Sequence, residues 1–133
     1  MSTAVDAART AQRMISAGDL LPQIWRHVIL QTIDSYESVL RLHGVEKAAL
    51  VFAAEPPLVG DDRVDAALAA LAEHLARRDG WPVPSWAKQE SRTTMDWWFV
   101  DDLPALQAFA LRESPLSFRK RGVFIGDGGL QRV

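Results

Sequence analysis

Apolar residues along this chain recur mostly at three- and four-residue spacing, the period of an amphipathic helix. The longest such run extends from Leu20 to about Leu42. In it Leu21, Ile24, Trp25, Val28, Ile29, Ile33, Tyr36, Val39 and Leu40 make one stripe, and Gln23, Arg26, Gln31, Asp34 and Glu37 take the other side. Pro22 suits the first turn, where its missing N–H would find no partner, and His43-Gly44 supplies the stop. A thinner stripe over residues 4–17 (Val5, Ala8, Met14, Ile15) predicts a first helix that Gly18 ends, with Asp19 free to cap the next. The thinness of that stripe leaves the N-terminal segment 1–19 open to being mobile, ahead of one domain over residues 20–133.

Val45 to Ala54 reads as a short, mostly buried helix, broken by Glu55-Pro56-Pro57 because proline cannot continue the hydrogen-bond ladder. Gly60-Asp61-Asp62 then caps a helix to about Arg78. Val64, Leu68, Leu71 and Leu75 form its stripe, and a set of alanines (66, 67, 69, 70, 72 and 76) permits close helix approach. Asp61, Asp62 and Asp65 at its start and Arg77 and Arg78 at its end match the macrodipole, with Gly80 as the stop. Beyond Trp81 the pattern changes, with eight of the eleven large aromatic residues falling between Trp81 and Phe124. Trp81 to Trp86 reads as extended, Asp101-Asp102-Leu-Pro starts a further capped helix through Leu111, and Arg121 to Gly129 reads as a short extended segment and turn. These elements predict a mainly α, single-domain helical bundle with at most one short C-terminal β-hairpin and an aromatic-rich C-terminal part. Trp25, Leu68, Leu71 and Phe124 are expected in its core.

Composition narrows the class. The 133 residues are 48% hydrophobic and 24% charged with a net charge of −2, which excludes disorder and suits one core. Without cysteine there are no disulfides, thiolate metal sites or thiol nucleophiles. The N-terminus lacks the basic and continuous apolar regions of a signal peptide, so a cytoplasmic setting is expected, with no membrane association. An acidic balance also argues against strong DNA binding by the chain alone.

Chemical motifs are sparse. His27, His43 and His74 lack the i, i+4 pairing of a helical zinc site, so neither a metal nor another cofactor is expected. No G-x-S-x-G surrounds a serine, Gly126-Asp-Gly-Gly129 lacks the residues of a phosphate loop, and the acid pairs precede helices as caps do. No catalytic residue is assigned. One polarised segment stands out: Arg112, Arg119, Lys120, Arg121 and Arg132 against Glu113 and Asp127 give residues 112–133 a net +3 and leave −5 for residues 1–111. The Trp97-Trp98-Phe99 cluster is the other, since three adjacent rings cannot all point inward from one element.

The series Ala53-Ala-Glu-Pro-Pro57, Asp62-Arg63-Val-Asp-Ala66, Leu71-Ala-Glu-His-Leu75, Pro84-Ser-Trp86, Trp97-Trp-Phe-Val100, Leu111, Ser114-Pro115, Phe118-Arg-Lys-Arg-Gly-Val-Phe-Ile125 and Leu130-Gln-Arg-Val133 resembles the region that follows the helix-turn-helix in actinobacterial regulators of the xenobiotic-response-element type. The resemblance spans about residues 20–133. It implies an antitoxin-like member of a toxin–antitoxin pair beside a nucleotidyltransferase-type toxin. Only 19 residues precede the shared region, too few for a helix-turn-helix, so DNA binding does not carry over.

The expectation is therefore a non-enzymatic protein-interaction domain. Its partner, a cognate toxin or regulator or a second copy in a homodimer, would contact Trp97, Trp98, Phe99, Phe118, Arg119, Lys120 and Arg121. On that placement, charge reversal at Arg119, Lys120 and Arg121 should weaken binding without unfolding the domain. The alternative is a nucleic-acid-binding transcriptional regulator using the same basic strip. A third reading, a small enzyme with Asp96 and His74 under the tryptophans, rests on no motif.

Overall fold

The structure, a computed structural model, describes residues 1–101, 103–126 and 128–131. The chain runs through α1 (Ala4–Ser16), α2 (Leu21–Ile24), a π-helical segment (Trp25–Leu30), α3 (Gln31–His43), α4 (Val45–Ala49), α5 (Asp62–Asp79), β1 (Trp98–Phe99), α6 (Pro104–Glu113), α7 (Leu116–Arg119) and β2 (Val123–Phe124). Short 3-10 turns occupy Leu50–Phe52, Ser85–Lys88 and Glu90–Arg92. The protein is mainly α, as the periodicity predicts.

Helix α5 is the axis of the fold. Every residue from Val64 to Glu73 is buried, ten in succession, which no single face of a helix accommodates. The π segment, the 3-10 turns at 85–92, α7 and β2 all pack on it, and its alanines let their backbones approach. Asp61 caps it by accepting from the Arg63 N–H at 2.9 Å, and Gly80, at φ +81°, closes it in a left-handed conformation costly to side chains.

The long run from Leu21 to His43 is helical throughout, but Trp25–Leu30 widens to π hydrogen bonding. Trp25, Val28, Ile29 and Leu30 are all buried there. Pro22 lies in the first turn as expected, whereas Asp19 caps nothing: the N-cap position is Leu20, whose N–H donates to Gln23 Oε1. Helix α1 begins with a Thr3–Asp6 capping box and buries Ala4, Ala7, Ala8 and Ala11 against the core.

The two strands form a parallel pair, Trp98 opposite Val123 and Phe99 opposite Phe124, so the C-terminal segment joins β1 across α6 and α7 and not through a hairpin turn. The N–H groups of Thr94 and Trp98 donate to the carbonyls of Arg121 and Gly122 at 3.0 and 2.9 Å. Trp25, Leu68, Leu71 and Phe124 are buried, as the pattern predicts.

Candidate interaction surface

Between Met95 and Leu116 apolar side chains stand in solvent. Met95 is 97% exposed, Trp97 61%, Leu103 59% and Leu116 64%, and Leu106, Phe109 and Leu111 are about two-fifths exposed. Helix α6 explains the concentration. It buries only Ala110 and carries no charge from Pro104 to Leu111. Pro104 starts it, and Asp101 accepts from the Leu103 N–H at 3.1 Å just ahead of it, while Asp102 lies outside the described residues. At its other end the Ser114 hydroxyl donates to the Ala110 carbonyl and accepts from the Ile125 N–H at 2.8 Å. The helix is thus tethered at its C-terminus and uncovered along its length.

The aromatic cluster divides between surface and interior. Trp97 lies over Phe124, ring centroids 5.0 Å apart, while Phe99 stacks on Phe124 at 5.0 Å and is partly buried. Trp98 turns inward, 6% exposed and edge-on to Trp25 at 5.4 Å. One ring of three is therefore available to a partner, one is half available and one is core, in keeping with the geometric limit on adjacent side chains.

The basic strip divides likewise. Phe118 is fully buried, edge-on to Trp25 and to His74. Arg121 is 4% exposed and donates to Glu73 Oε1 at 2.6 Å and to the carbonyls of Ser117 and Ala87. Lys120 reaches Glu73 at 2.7 Å from a half-exposed position, and Arg77 binds the same carboxylate at 2.7 Å. Burial by itself would raise the Glu73 carboxyl, but hydrogen bonds from Lys120, Arg121 and Arg77 outweigh it and hold it at about 2. Arg119 is exposed and donates to the Arg112 carbonyl at 2.9 Å, so Arg119 and Lys120 both keep charge at the surface. Trp98, Phe118 and Arg121 are thus interior groups in the folded chain. A charge reversal that includes Arg121 would put two carboxylates together in the core, so it cannot serve as a fold-neutral probe. Arg132 and Asp127, counted in the tail's charge, lie outside the described residues.

Two further buried polar clusters escape motif reading. Asp65 accepts from the Val59 N–H at 3.0 Å and faces Arg92 at 4.0 Å; Arg92 donates to the Pro56 carbonyl and lies over the Trp86 ring. Burial raises the Asp65 carboxyl, against the Val59 hydrogen bond and Arg92, and burial lowers the Arg92 guanidinium. Near the end of α5, the Tyr36 hydroxyl donates to Asp79 at 2.6 Å and accepts from the Trp81 indole at 2.8 Å. Burial and the Asp79 hydrogen bond push that phenol to about 12. Both clusters join α5 to neighbouring segments and lack an exposed reactive group.

His74 is half-buried against Phe118, and burial, with Arg78 nearby, lowers its imidazole. Asp96 acts on Arg63. Eleven residues of α5 separate Arg63 from His74, about 16 Å along the axis. Asp96 and His74 are therefore not brought together. Among the described residues no three His, Cys, Asp or Glu side chains gather as metal ligands, and no helix is long and apolar enough to cross a membrane. A comparison with protein-family models, with curated proteins and with solved structures finds no match to this chain.

Proposed function

We propose that this chain is a non-enzymatic protein-interaction domain, and that it serves as the antitoxin-like or regulatory partner of a toxin in a two-gene module in the cytoplasm. The observation that carries the reading is the uncovered apolar chain from Met95 to Leu111, centred on Trp97 and α6. Exposed apolar side chains concentrated in one stretch of chain are costly to leave in water and mark contact sites, and tryptophan is prominent among the residues that dominate binding energy. The toxin class, nucleotidyltransferase-type, comes from the resemblance, and the mode of action would be occlusion of the toxin's working surface.

The alternative, nucleic-acid recognition by residues 118–121, is less well supported. Glu73 holds Arg121 in the interior and engages Lys120, which leaves Arg119 and the half-exposed Lys120 as the strip's outward cations. Co-expression of the tagged chain with the product of the neighbouring gene, followed by nuclease treatment and size-exclusion chromatography, separates the two. A nuclease-resistant stoichiometric complex that Trp97→Ala weakens is the expected result. A complex that disappears with nuclease, or one indifferent to Trp97, would overturn it.

A further inference from the structure

A second surface, remote in sequence from α6, combines apolar exposure with unspent positive charge. Helices α3 and α4 meet at Gly44, whose φ of +88° turns the chain sharply. Around that corner Leu42 is 67% exposed, Leu50 50% and Val45 38%. A groove of about 480 Å³ lies at this corner, lined by Met1 together with Ser38, Val39, Leu42, His43, Lys47 and Leu50. Lys47 brings a positive charge to this lining and no acid lines it, while Arg41 and Glu46 flank it in sequence. Unlike Lys120, Arg121 and Arg78, each tied to a carboxylate, the side chains of Arg41, His43 and Lys47 enter no ion pair or hydrogen bond among the described residues.

We infer that this corner docks an acidic amphipathic helix of a partner protein. The apolar groove suits one face of such a helix, and the unpaired cations Arg41 and Lys47 complement carboxylates flanking it, the arrangement of helix-in-groove recognition. Nucleic acid fits less well, because no aromatic ring lines the groove to stack a base. The surface is separate from the Trp97 and α6 region, so the inference stands or falls apart from the proposed function.

The test is fluorescence anisotropy of the full chain with a labelled synthetic helix of about 18 residues, leucine on one face and glutamate on its flanks. The same peptide with lysine for glutamate, a scramble of equal composition, and phosphatidylglycerol vesicles serve as comparisons. Saturable binding is expected for the glutamate peptide, about tenfold weaker for the lysine and scrambled peptides. Leu42→Asp and Lys47→Glu, both at exposed positions and checked for folding by circular dichroism, should each lose about tenfold, while Trp97→Ala should lose nothing. Absence of binding up to about 1 mM, equal binding of the three peptides, vesicle binding without peptide binding, or an equal loss in Trp97→Ala would each overturn the inference.

Discussion

Glu73 is one of several carboxylates, with Asp61 and Asp79, whose pairing ties the stability of the chain to pH. Its folded carboxyl, held at about 2, lies below the roughly 4.3 of an unfolded glutamate. The unfolded chain therefore takes up the proton first. The stabilisation, on the order of 3 kcal/mol, is fully present above about pH 4.3 and is lost as pH falls toward 2. Urea titrations at pH 7, 4 and 2.5 should show this loss in the parent chain and a smaller loss in Glu73→Gln, where Asp61 and Asp79 still titrate below the usual carboxylate range; parallel curves would refute it. At pH 7 the same substitution leaves Arg121 buried without its counter-ion and should cost about 3–5 kcal/mol. Gly122 is the second residue with no tolerance. At φ +84° an added Cβ would lie 2.5 Å from the Thr94 carbonyl oxygen, the neighbour of the strand pair. Gly122→Ala should therefore lower stability by more than about 1–3 kcal/mol, the range for backbone strain alone, measurable as a shift in the urea midpoint at constant m-value.

Helix α5 and helix α6 are opposites in how their sequence meets the fold. The first is enclosed on all sides, so its alanines are packing residues and not spacers on a solvent face. Leu71→Ala should cost about 2–5 kcal/mol through the cavity it leaves. Ala70→Leu, which improves neither fit nor helix propensity, should cost at least about 1–3 kcal/mol by overpacking. Thermal or urea unfolding of the two variants checks both. The second helix is enriched in good helix formers but buries one residue, and its hold on the core is the Ser114 bridge to Ile125. Amide exchange should consequently be far faster in Leu106 to Leu111 than in Leu68 to Leu75, because local opening there exposes little new apolar surface.

Taken as a whole, the molecule turns part of its tail charge inward. Lys120 and Arg121 converge on Glu73 of the central helix, 47 and 48 residues earlier, and lock α7 and β2 onto α5. This leaves two apolar surfaces, one neutral and built on α6 and one basic at the α3–α4 corner. Leu106→Ser, on the exposed face of α6, should change stability by no more than about 0.5 kcal/mol while weakening a protein partner, whereas Trp97→Ala also gives up the ring contact with Phe124 and should cost about 0.5–1.5 kcal/mol. Chemical denaturation paired with the co-purification assay tests both halves of that statement.

The helices were legible because their causes are local. Apolar spacing, Pro22 and Pro104 in first turns, the Pro56-Pro57 break, and Gly44 and Gly80 at helix ends all act within a few residues of where they stand. The interior placement of Leu68, Leu71 and Trp25 follows from the same periodicity. Charge pattern alone could not show that Arg121 and Arg92 are buried, because their partners Glu73 and Asp65 are contributed by α5 from far along the chain. The parallel pairing of Trp98 with Val123 and the turning of Trp98 inward beside an exposed Trp97 are long-range in the same way. Local periodicity assigns a residue to a helix face; which faces remain uncovered, and so where a partner finds purchase, depends on how those helices close around α5.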